Sequence, residues 1–371
     1  MSPPSPRRLF MTADAVGGVW TYAIDLARAF SAQGVRTTLA VLGPAPDLEQ
    51  RRAAAAIPGL RVIATGLPLD WLASAPDELA AAARRLSVIA RESEADVIHL
   101  NSPALAAGAG FEQPVVGVCH SCLATWWDAV RGGPLPADFA WKTERLASGY
   151  AACDALIAPS FAFMQATAAR YGVVPRVVRN GRAAPPERQS GPKRPFVFAS
   201  GRFWDGAKNI SALDAAAARM GGGRVYAAGP LSHGSAEAPA LEATISLGKV
   251  APGPLAGWLA RAAVFASFAL YEPFGLGVLE AAQAGCALVL SDIPTHRELW
   301  EGASVFVDPA DPAAAASLLD RLLADPGEAS RLGALAERRS RTFTVEAMAD
   351  ATLATYREVI AARSPAQEAA A

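Results

Sequence analysis

The run Glu272-Pro273-Phe274-Gly275-Leu276-Gly277-Val278-Leu279-Glu280 sets two carboxylates around a glycine-containing turn. Its pattern predicts a strand end, a short loop and a helix start. Backbone N–H groups at such a start, here roughly Gly275 to Gly277, have no helical partner and can take anionic oxygens. A carboxylate accepts two hydroxyl hydrogen bonds at once, which suits a diol. One element can therefore hold a phosphate and two sets of hydroxyls. The alternative is a turn residue at 272 and a solvated helix residue at 280, and spacing alone leaves both readings open.

A second cluster is Gly201-Arg202-Phe203-Trp204-Asp205-Gly206-Ala207-Lys208-Asn209, where two cations follow a strand. Two positive charges at a sheet's carboxyl edge fit a diphosphate, although either is individually an ordinary surface cation. Lys208 stands out because only four of the 34 cations are lysine: Lys142, Lys193, Lys208 and Lys249. The third cluster, Asp14-Ala15-Val16-Gly17-Gly18-Val19-Trp20, puts glycines at a strand-to-helix turn, where backbone can approach a ligand. It lacks the third glycine of the dinucleotide fingerprint. His120 lies within Cys119-His120-Ser121-Cys122. A zinc site would need a second ligand pair at metal spacing, and Cys153 and Cys286 are isolated, so no metal site is expected. His99, His233 and His296 read as polar loop or strand-end residues, with His99 beside Asn101 the nearest to a site. Trp126-Trp127 either stacks on a ligand ring or packs in the core.

These residues need elements to position them. A chain of 371 residues exceeds one ordinary core and suits two domains. Hydrophobic residues are 52% and charged residues 19%, a globular composition. Cations number 34 and anions 35, a net charge of −1, which excludes a basic nucleic-acid-binding surface as an expectation. The longest apolar run, 262–270, is short of a membrane span and reads as a buried strand. Arg7-Arg8-Leu9-Phe10 has a faint twin-arginine look, but Asp14 and Gly17-Gly18 interrupt the apolar stretch next to it. The expectation is a first strand and a cytoplasmic location, with four cysteines kept reduced.

Short β-rich runs alternate with alanine-rich helical stretches, the signature of parallel sheets flanked by helices. Strands are expected at 9–12, 35–42, 96–100, 114–118, 155–158 and 176–179, with helices at 19–33 and 78–92. After a proline-rich linker at 183–195 a second set begins. Its expected strands are 196–200, 224–228, 244–247, 264–268, 287–291 and 304–307. Its expected helices are 210–220, 255–261, 277–283 and 313–324. A final helix over 345–363 has Thr344 as N-cap, with Met348, Thr352, Tyr356 and Val359 on one face. Ligands bind such open sheets outside the carboxyl ends of the strands, so a cleft between the domains is the expected site.

Together these blocks resemble the GT-B retaining glycosyltransferases of family four, which use nucleotide-sugar donors. The resemblance covers nearly the whole chain. It takes in the Gly17-Gly18 loop, the His120 region, the Asn180-Gly181 turn, Gly201-Arg202 with Lys208-Asn209, and the Glu272/Glu280 block. It continues through Gly285, Asp292, Glu298 and Val307-Asp308-Pro309. Two departures are Gln283, where a small or sulfur-containing residue is usual, and Ile293-Pro294-Thr295-His296-Arg297 in place of a glycine-rich turn.

The resemblance implies an α/β fold of GT-B type: two Rossmann-like parallel-sheet domains facing across a cleft, with the C-terminal helix crossing back to the first. Domains are expected at 1–182 (acceptor side), 196–344 (donor side) and 345–371 (returning helix and tail), joined by the 183–195 linker. It further implies that Arg202 and Lys208 neutralise a donor diphosphate and that the backbone of Phe274, Gly275, Leu276 and Gly277 holds phosphate and sugar. Glu272 would contact the donor sugar, Glu280 the ribose and Val250 the base. Gly17 and Gly18 would face the diphosphate, and His120 the sugar near the reacting centre. Acceptor identity would be written in 121–145, including Trp126, Trp127 and Arg131. The expected activity is a retaining, metal-independent hexosyl transfer from a nucleotide-sugar, UDP-linked before GDP-linked, to a small-molecule or glycan hydroxyl. The chain contains no Asp-x-Asp, the short motif of metal-dependent transferases of the other common fold. No further cofactor and no nucleic acid is expected. Monomer or dimer, and peripheral membrane contact as a minor expectation, complete the reading. The alternatives are a non-catalytic sugar-nucleotide binder and a GT-B sugar-nucleotide epimerase.

Overall fold

A computed structural model describes residues 5–183, 192–234 and 236–368. Most of the expected linker, 184–191, lies outside the described residues, as does the tail after 368. The chain divides into two compact units, Met1–Gly181 with Val345–Ala371, and Arg182–Thr344.

The first unit is built on seven strands: β1 (Arg8–Asp14), β2 (Arg36–Leu42), β3 (Leu60–Ala64), β4 (Val97–Leu100), β5 (Val115–Val118), β6 (Ala155–Ala158) and β7 (Arg176–Val177). They lie parallel in the order β3-β2-β1-β4-β5-β6-β7. Strands β4 and β5 are buried along their whole length, as expected where helices cover both sheet faces. Helix Gly18–Ala32 and the final helix, Val345–Glu368, share one apolar cluster in which Tyr22, Phe30, Met348, Leu353 and Tyr356 are buried. Phe30 and Tyr356 stand 5.8 Å apart, centroid to centroid. Full burial of each such side chain contributes roughly 1.5–3 kcal/mol, which docks the last helix to the first unit.

The second unit carries β8 (Arg194–Ser200), β9 (Arg224–Ala228), a hairpin of β10 (Ser232–His233) and β11 (Ala236–Glu237), then β12 (Ile245–Gly248), β13 (Ala262–Ser267), β14 (Ala287–Ser291) and β15 (Val305–Val307). The main sheet is parallel in the order β12-β9-β8-β13-β14-β15. Both units are thus Rossmann-like. Strand order reverses at β1/β4 in one and at β8/β13 in the other. Loops leaving the two strands at such a reversal diverge and open a crevice.

Several helices were not anticipated from the sequence: Leu48–Ala55, Leu123–Val130, Ala137–Ala151, Phe161–Tyr171, Pro294–Trp300 and Pro326–Ser340, as well as strand β3. Leu48–Ala55 has a capping box of Asp47 and Gln50, and two others have a side-chain oxygen cap. Ser160 accepts from the Phe163 amide and Asp325 from the Glu328 amide, each a side-chain N-cap. The helix at 294–300 starts on Pro294, a favoured first position rather than a turn.

Candidate functional site

The crevice of the first unit holds an uncharged cluster around Asn101, with the Asp14 carboxylate at the end of β1. Asn101 follows β4 and is pinned to β1: its amide nitrogen donates to the Thr12 carbonyl at 2.6 Å, and its backbone N–H to Thr12 Oγ1 at 2.9 Å. This anchoring turns Asn101 Oδ1 toward two histidines, His120 Nε2 at 2.7 Å and His99 Nε2 at 3.2 Å. An amide oxygen only accepts, so both rings carry their proton on Nε2. His99 Nδ1 is then an acceptor, and Tyr356 of the final helix donates its phenol proton to it at 2.6 Å. His120 Nδ1 keeps a lone pair with no partner among the described residues.

Tyr22 stands edge-on to His120 at 4.7 Å, one turn into the helix that begins at Gly18. Burial holds both imidazoles neutral at physiological pH, His99 at about 4 and His120 at about 3. Burial also raises the Tyr22 and Tyr356 phenols, so none of the four groups carries charge.

Gly17 caps the helix Gly18–Ala32. Gly17 and Gly18 thus start the helix whose Tyr22 lies against His120. Trp126 and Trp127 lie on the separate helix Leu123–Val130. Trp127 packs edge-on against Phe139 at 5.8 Å, and Trp126 is half-buried 6.5 Å from Trp127. Arg131 is exposed just beyond this helix. In the Cys-x-x-Cys segment, burial pushes the Cys119 thiol up to about 12, and Cys122 accepts from the Thr125 amide as a helix cap. Among the described residues no group of three or more His, Cys, Asp or Glu is arranged to hold a metal ion.

In the second unit the crevice is ionic. Lys208 Nζ donates to Glu272 Oε2 at 2.5 Å, with both side chains mostly buried. Burial alone would raise the Glu272 carboxyl, but the Lys208 ammonium outweighs it and holds the group below its usual range. Two ties place this pair. Leu270 N–H donates to the Ala207 carbonyl at 2.8 Å, and the Asn209 amide donates to the Phe268 carbonyl at 3.2 Å. They join the loop after β8 to the loop after β13. Asn209 has φ of +48°, a left-handed conformation that asparagine tolerates. Arg202 is more open, 3.6 Å from Asp205 and over the Trp204 ring at 5.5 Å. Trp204 stacks in turn on His233 at 5.0 Å.

Helix Leu276–Gln283 starts from Gly275, whose φ of +91° demands glycine. A side chain at Gly277 would meet Ser200 Oγ at 3.2 Å, so the helix start approaches β8 closely. The Phe274 ring is core, edge-on to Phe343 at 5.7 Å, leaving only its backbone toward the crevice. Val250 packs partly buried on the same core. Glu280 is neither solvated nor free: it pairs with Arg182 at 2.7 Å. His296, expected in a loop, is fully buried on a helix. It bonds the Ser291 carbonyl through Nδ1, while its Nε2 has no partner among the described residues. Burial lowers its basicity.

Sequence reasoning missed Arg182, Tyr22 and Tyr356 as site neighbours. Each lies far along the chain from the residue it supports, so no local motif marks it.

Residues 16–182 match the family model described as Glycosyltransferase Family 4, and residues 194–325 the model described as Glycosyl transferases group 1. No curated protein sequence matches the chain. Among solved structures it is similar to sucrose-phosphate synthase from Thermosynechococcus elongatus, at 18% identity and TM-score 0.75, covering 96% of this chain and 100% of that one. It is similar to Anabaena HepE, solved with UDP and glucose, at 18% identity and TM-score 0.70, covering 94% and 99%. It is also similar to a UDP-forming α,α-trehalose-phosphate synthase from Burkholderia vietnamiensis, at 14% identity and TM-score 0.68, covering 95% and 100%. Among the described residues no helix is long and apolar enough to cross a membrane.

Proposed function

Because the chain belongs to the GT-B glycosyltransferases, we propose that it transfers a sugar from a nucleotide-diphosphate sugar to an acceptor hydroxyl, with retention of anomeric configuration and without a divalent metal. The observation that carries this reading is the Lys208–Glu272 pair at the β8/β13 reversal, flanked by Arg202 and the helix start at Gly275.

A departing nucleoside diphosphate gains negative charge as its glycosyl bond breaks. Fixed cations and free N–H groups stabilise that charge in the transition state. Lys208 and Arg202 take the diphosphate in this reading, and the amides of residues 274–277 take phosphate and sugar oxygens. Lys208 can exchange its carboxylate partner for a phosphate, which releases Glu272 to accept from sugar hydroxyls. Glu280 and Arg182 form the ribose end, and Val250 flanks the base. In the first unit, neutral His120 presents an unprotonated Nδ1 and is the group assigned to the transferred sugar. Gly17 and Gly18 are assigned to the diphosphate, and Trp126, Trp127 and Arg131 to the acceptor. The structural relatives' UDP ligand and UDP-forming reaction favour uridine as the base, with guanosine second.

The test is a thermal-shift screen of nucleotides and nucleotide-sugars, followed by nucleotide release with an acceptor panel in excess chelator. The expected result is stabilisation by one nucleotide-sugar and chelator-resistant transfer, with the product anomer matching the donor by NMR. Donor binding without transfer to any acceptor would favour a binding protein, and release of an epimerised donor an epimerase. Loss of activity in chelator restored by magnesium or manganese would overturn metal independence.

A further inference from the structure

The β8 and β9 strands of the second unit have a second populated end. Their carboxyl ends lead into Gly201–Lys208 and Gly229. Their amino ends open on a cavity of about 600 Å³ lined by Arg194, Phe196, Arg224, Tyr226, Trp258 and Arg261. The seven residues of β8, at roughly 3.3 Å each, put this cavity about 20 Å from the loop that carries Arg202.

Strand alternation builds it. Arg194, Phe196 and Phe198 project from one face of β8, since side chains alternate along a strand. Phe196 is registered with Arg224 and Phe198 with Tyr226, so β9 adds its arginine and tyrosine to the same face. Helix Pro252–Arg261 covers that face with Trp258, parallel to Phe198 at 5.9 Å and 4.9 Å from Tyr226. The floor is therefore a fixed aromatic cluster. The Arg261 guanidinium lies over the Trp258 ring at 5.4 Å.

Arginine is this chain's usual cation, so its presence alone says little. The convergence says more. Three guanidinium groups share one mouth, and among the described residues none has a carboxylate within ion-pair distance. Asp320, which reaches the adjacent glycine loop, is engaged with the Gly221 and Gly222 amides. Arginine forks match phosphate oxygens two at a time. Tryptophan, tyrosine and a stacked guanidinium offer flat faces to a ring. A concave volume of this size suits a small molecule and not a membrane plane.

We propose that this cavity is a second ligand site, separate from the donor crevice, for a phosphate ester of a flat ring compound of the nucleoside monophosphate class.

Isothermal titration of the full chain with adenosine monophosphate, adenosine and inorganic phosphate tests it. An adenine probe is used because the donor crevice is assigned to uridine or guanosine. Adenosine monophosphate should bind, with adenosine and inorganic phosphate each at least ~10-fold weaker. Arg224→Ala and Arg261→Ala should each weaken it by ~10-fold or more, while Lys208→Ala leaves it unchanged. Exposed arginines tolerate truncation, and an unchanged melting temperature checks that the variants fold. Affinity lost in Lys208→Ala but kept in the arginine variants would return the ligand to the donor crevice and overturn the second site. Inorganic phosphate binding as tightly as the nucleotide would overturn the ring assignment. Absence of nucleotide binding, with an arginine-dependent affinity for anionic phosphatidylglycerol vesicles instead, would overturn the proposal in favour of a membrane surface.

Discussion

At the β1/β4 reversal of the first unit a buried cluster of polar side chains is neutral, whereas at the β8/β13 reversal of the second the clustered side chains are charged. Tyr356, His99, Asn101 and His120 form a chain of single donors and acceptors whose protons are fixed by one amide. Lys208 pairs with Glu272 and Arg182 with Glu280, and in the proposed reading these pairs exchange partners when a phosphate or a diol arrives. The same strand order thus serves two purposes. A neutral network fixes orientation and tautomer and is indifferent to salt. An ionic one stores charge that a ligand redirects. Variants in the two units should fail in correspondingly different ways.

The largest effect is expected at Lys208. Lys208→Ala removes a proposed diphosphate cation and leaves Glu272 mostly buried beside no ammonium. A charge-assisted contact of roughly 2–3 kcal/mol predicts about 30–150-fold in kcat/KM. Adding Glu272→Gln should recover melting temperature but not turnover. Full kinetic rescue by the double variant would reduce the pair to a structural salt bridge and break the ionic side of the comparison.

Acid should separate the buried histidines, His296 of the second unit included, from the Lys208–Glu272 pair next. His99 and His120 titrate at about 4 and about 3 in the fold, against about 6.5 unfolded. Between those values the unfolded chain binds more protons, so stability rises with pH. Their contribution is fully present above about 6.5 and is lost as pH falls toward 4, at roughly 1.4 kcal/mol per unit for each ring. The lowered Glu272 carboxyl has a different window: its contribution holds down to the ordinary carboxylate range and is lost only below it. Melting temperature should therefore fall from pH 6.5 to 5 before the Lys208–Glu272 pair is affected. Proton NMR should show the His99 and His120 ring signals unshifted over that range. A midpoint near 6.5 for either ring would contradict the neutral network.

Much of the second unit's site was legible because its chemistry is local. Glu272, Gly275 and Glu280 sit within nine positions, and their loop-to-helix geometry stands as the pattern implies. Arg202 and Lys208 likewise follow directly on β8. The first unit was less legible because its network is assembled from β1, β4, the loop after β5 and a helix more than two hundred residues on. No spacing rule links Tyr356 to His99. Elements were easiest to read where a strand is a continuous buried run, and β14 has the bounds expected. They were hardest where a helix is announced by a single side-chain cap, as at Ser160 and Asp325.

A middle-sized effect is expected at Glu280, and it sharpens what the ionic unit does. Glu280→Ala should weaken free nucleotide about tenfold if its carboxylate accepts the ribose hydroxyls, close to one charged hydrogen bond. The Arg182 pairing offers another role, in which Glu280 only orients the arginine. Titration of Glu280→Ala, Arg182→Ala and the double variant decides between them. A ribose acceptor gives a larger loss for Glu280→Ala than for Arg182→Ala. Equal single losses, with no further loss in the double, would make the pair one structural unit and end the ribose assignment.

The smallest effects are expected at the tryptophans, and there the comparison is within one helix. Trp127 is edge-on to Phe139, and its indole N–H is buried without a partner among the described residues. An indole spent that way is packing, so Trp127→Ala should cost stability. At about 2–4 °C per kcal/mol for a unit of this size, the nucleotide-free protein should melt several degrees early. Trp127→Phe should recover most of that. Trp126, its half-buried neighbour, retains surface for a ring to stack on. Trp126→Ala should raise acceptor KM several-fold, with melting temperature and nucleotide Kd nearly unchanged, because no nucleotide contact is assigned to its helix. An early-melting Trp126→Ala with unaltered acceptor KM would make both tryptophans core. The acceptor would then have to be sought at Arg131 and the exposed residues after it.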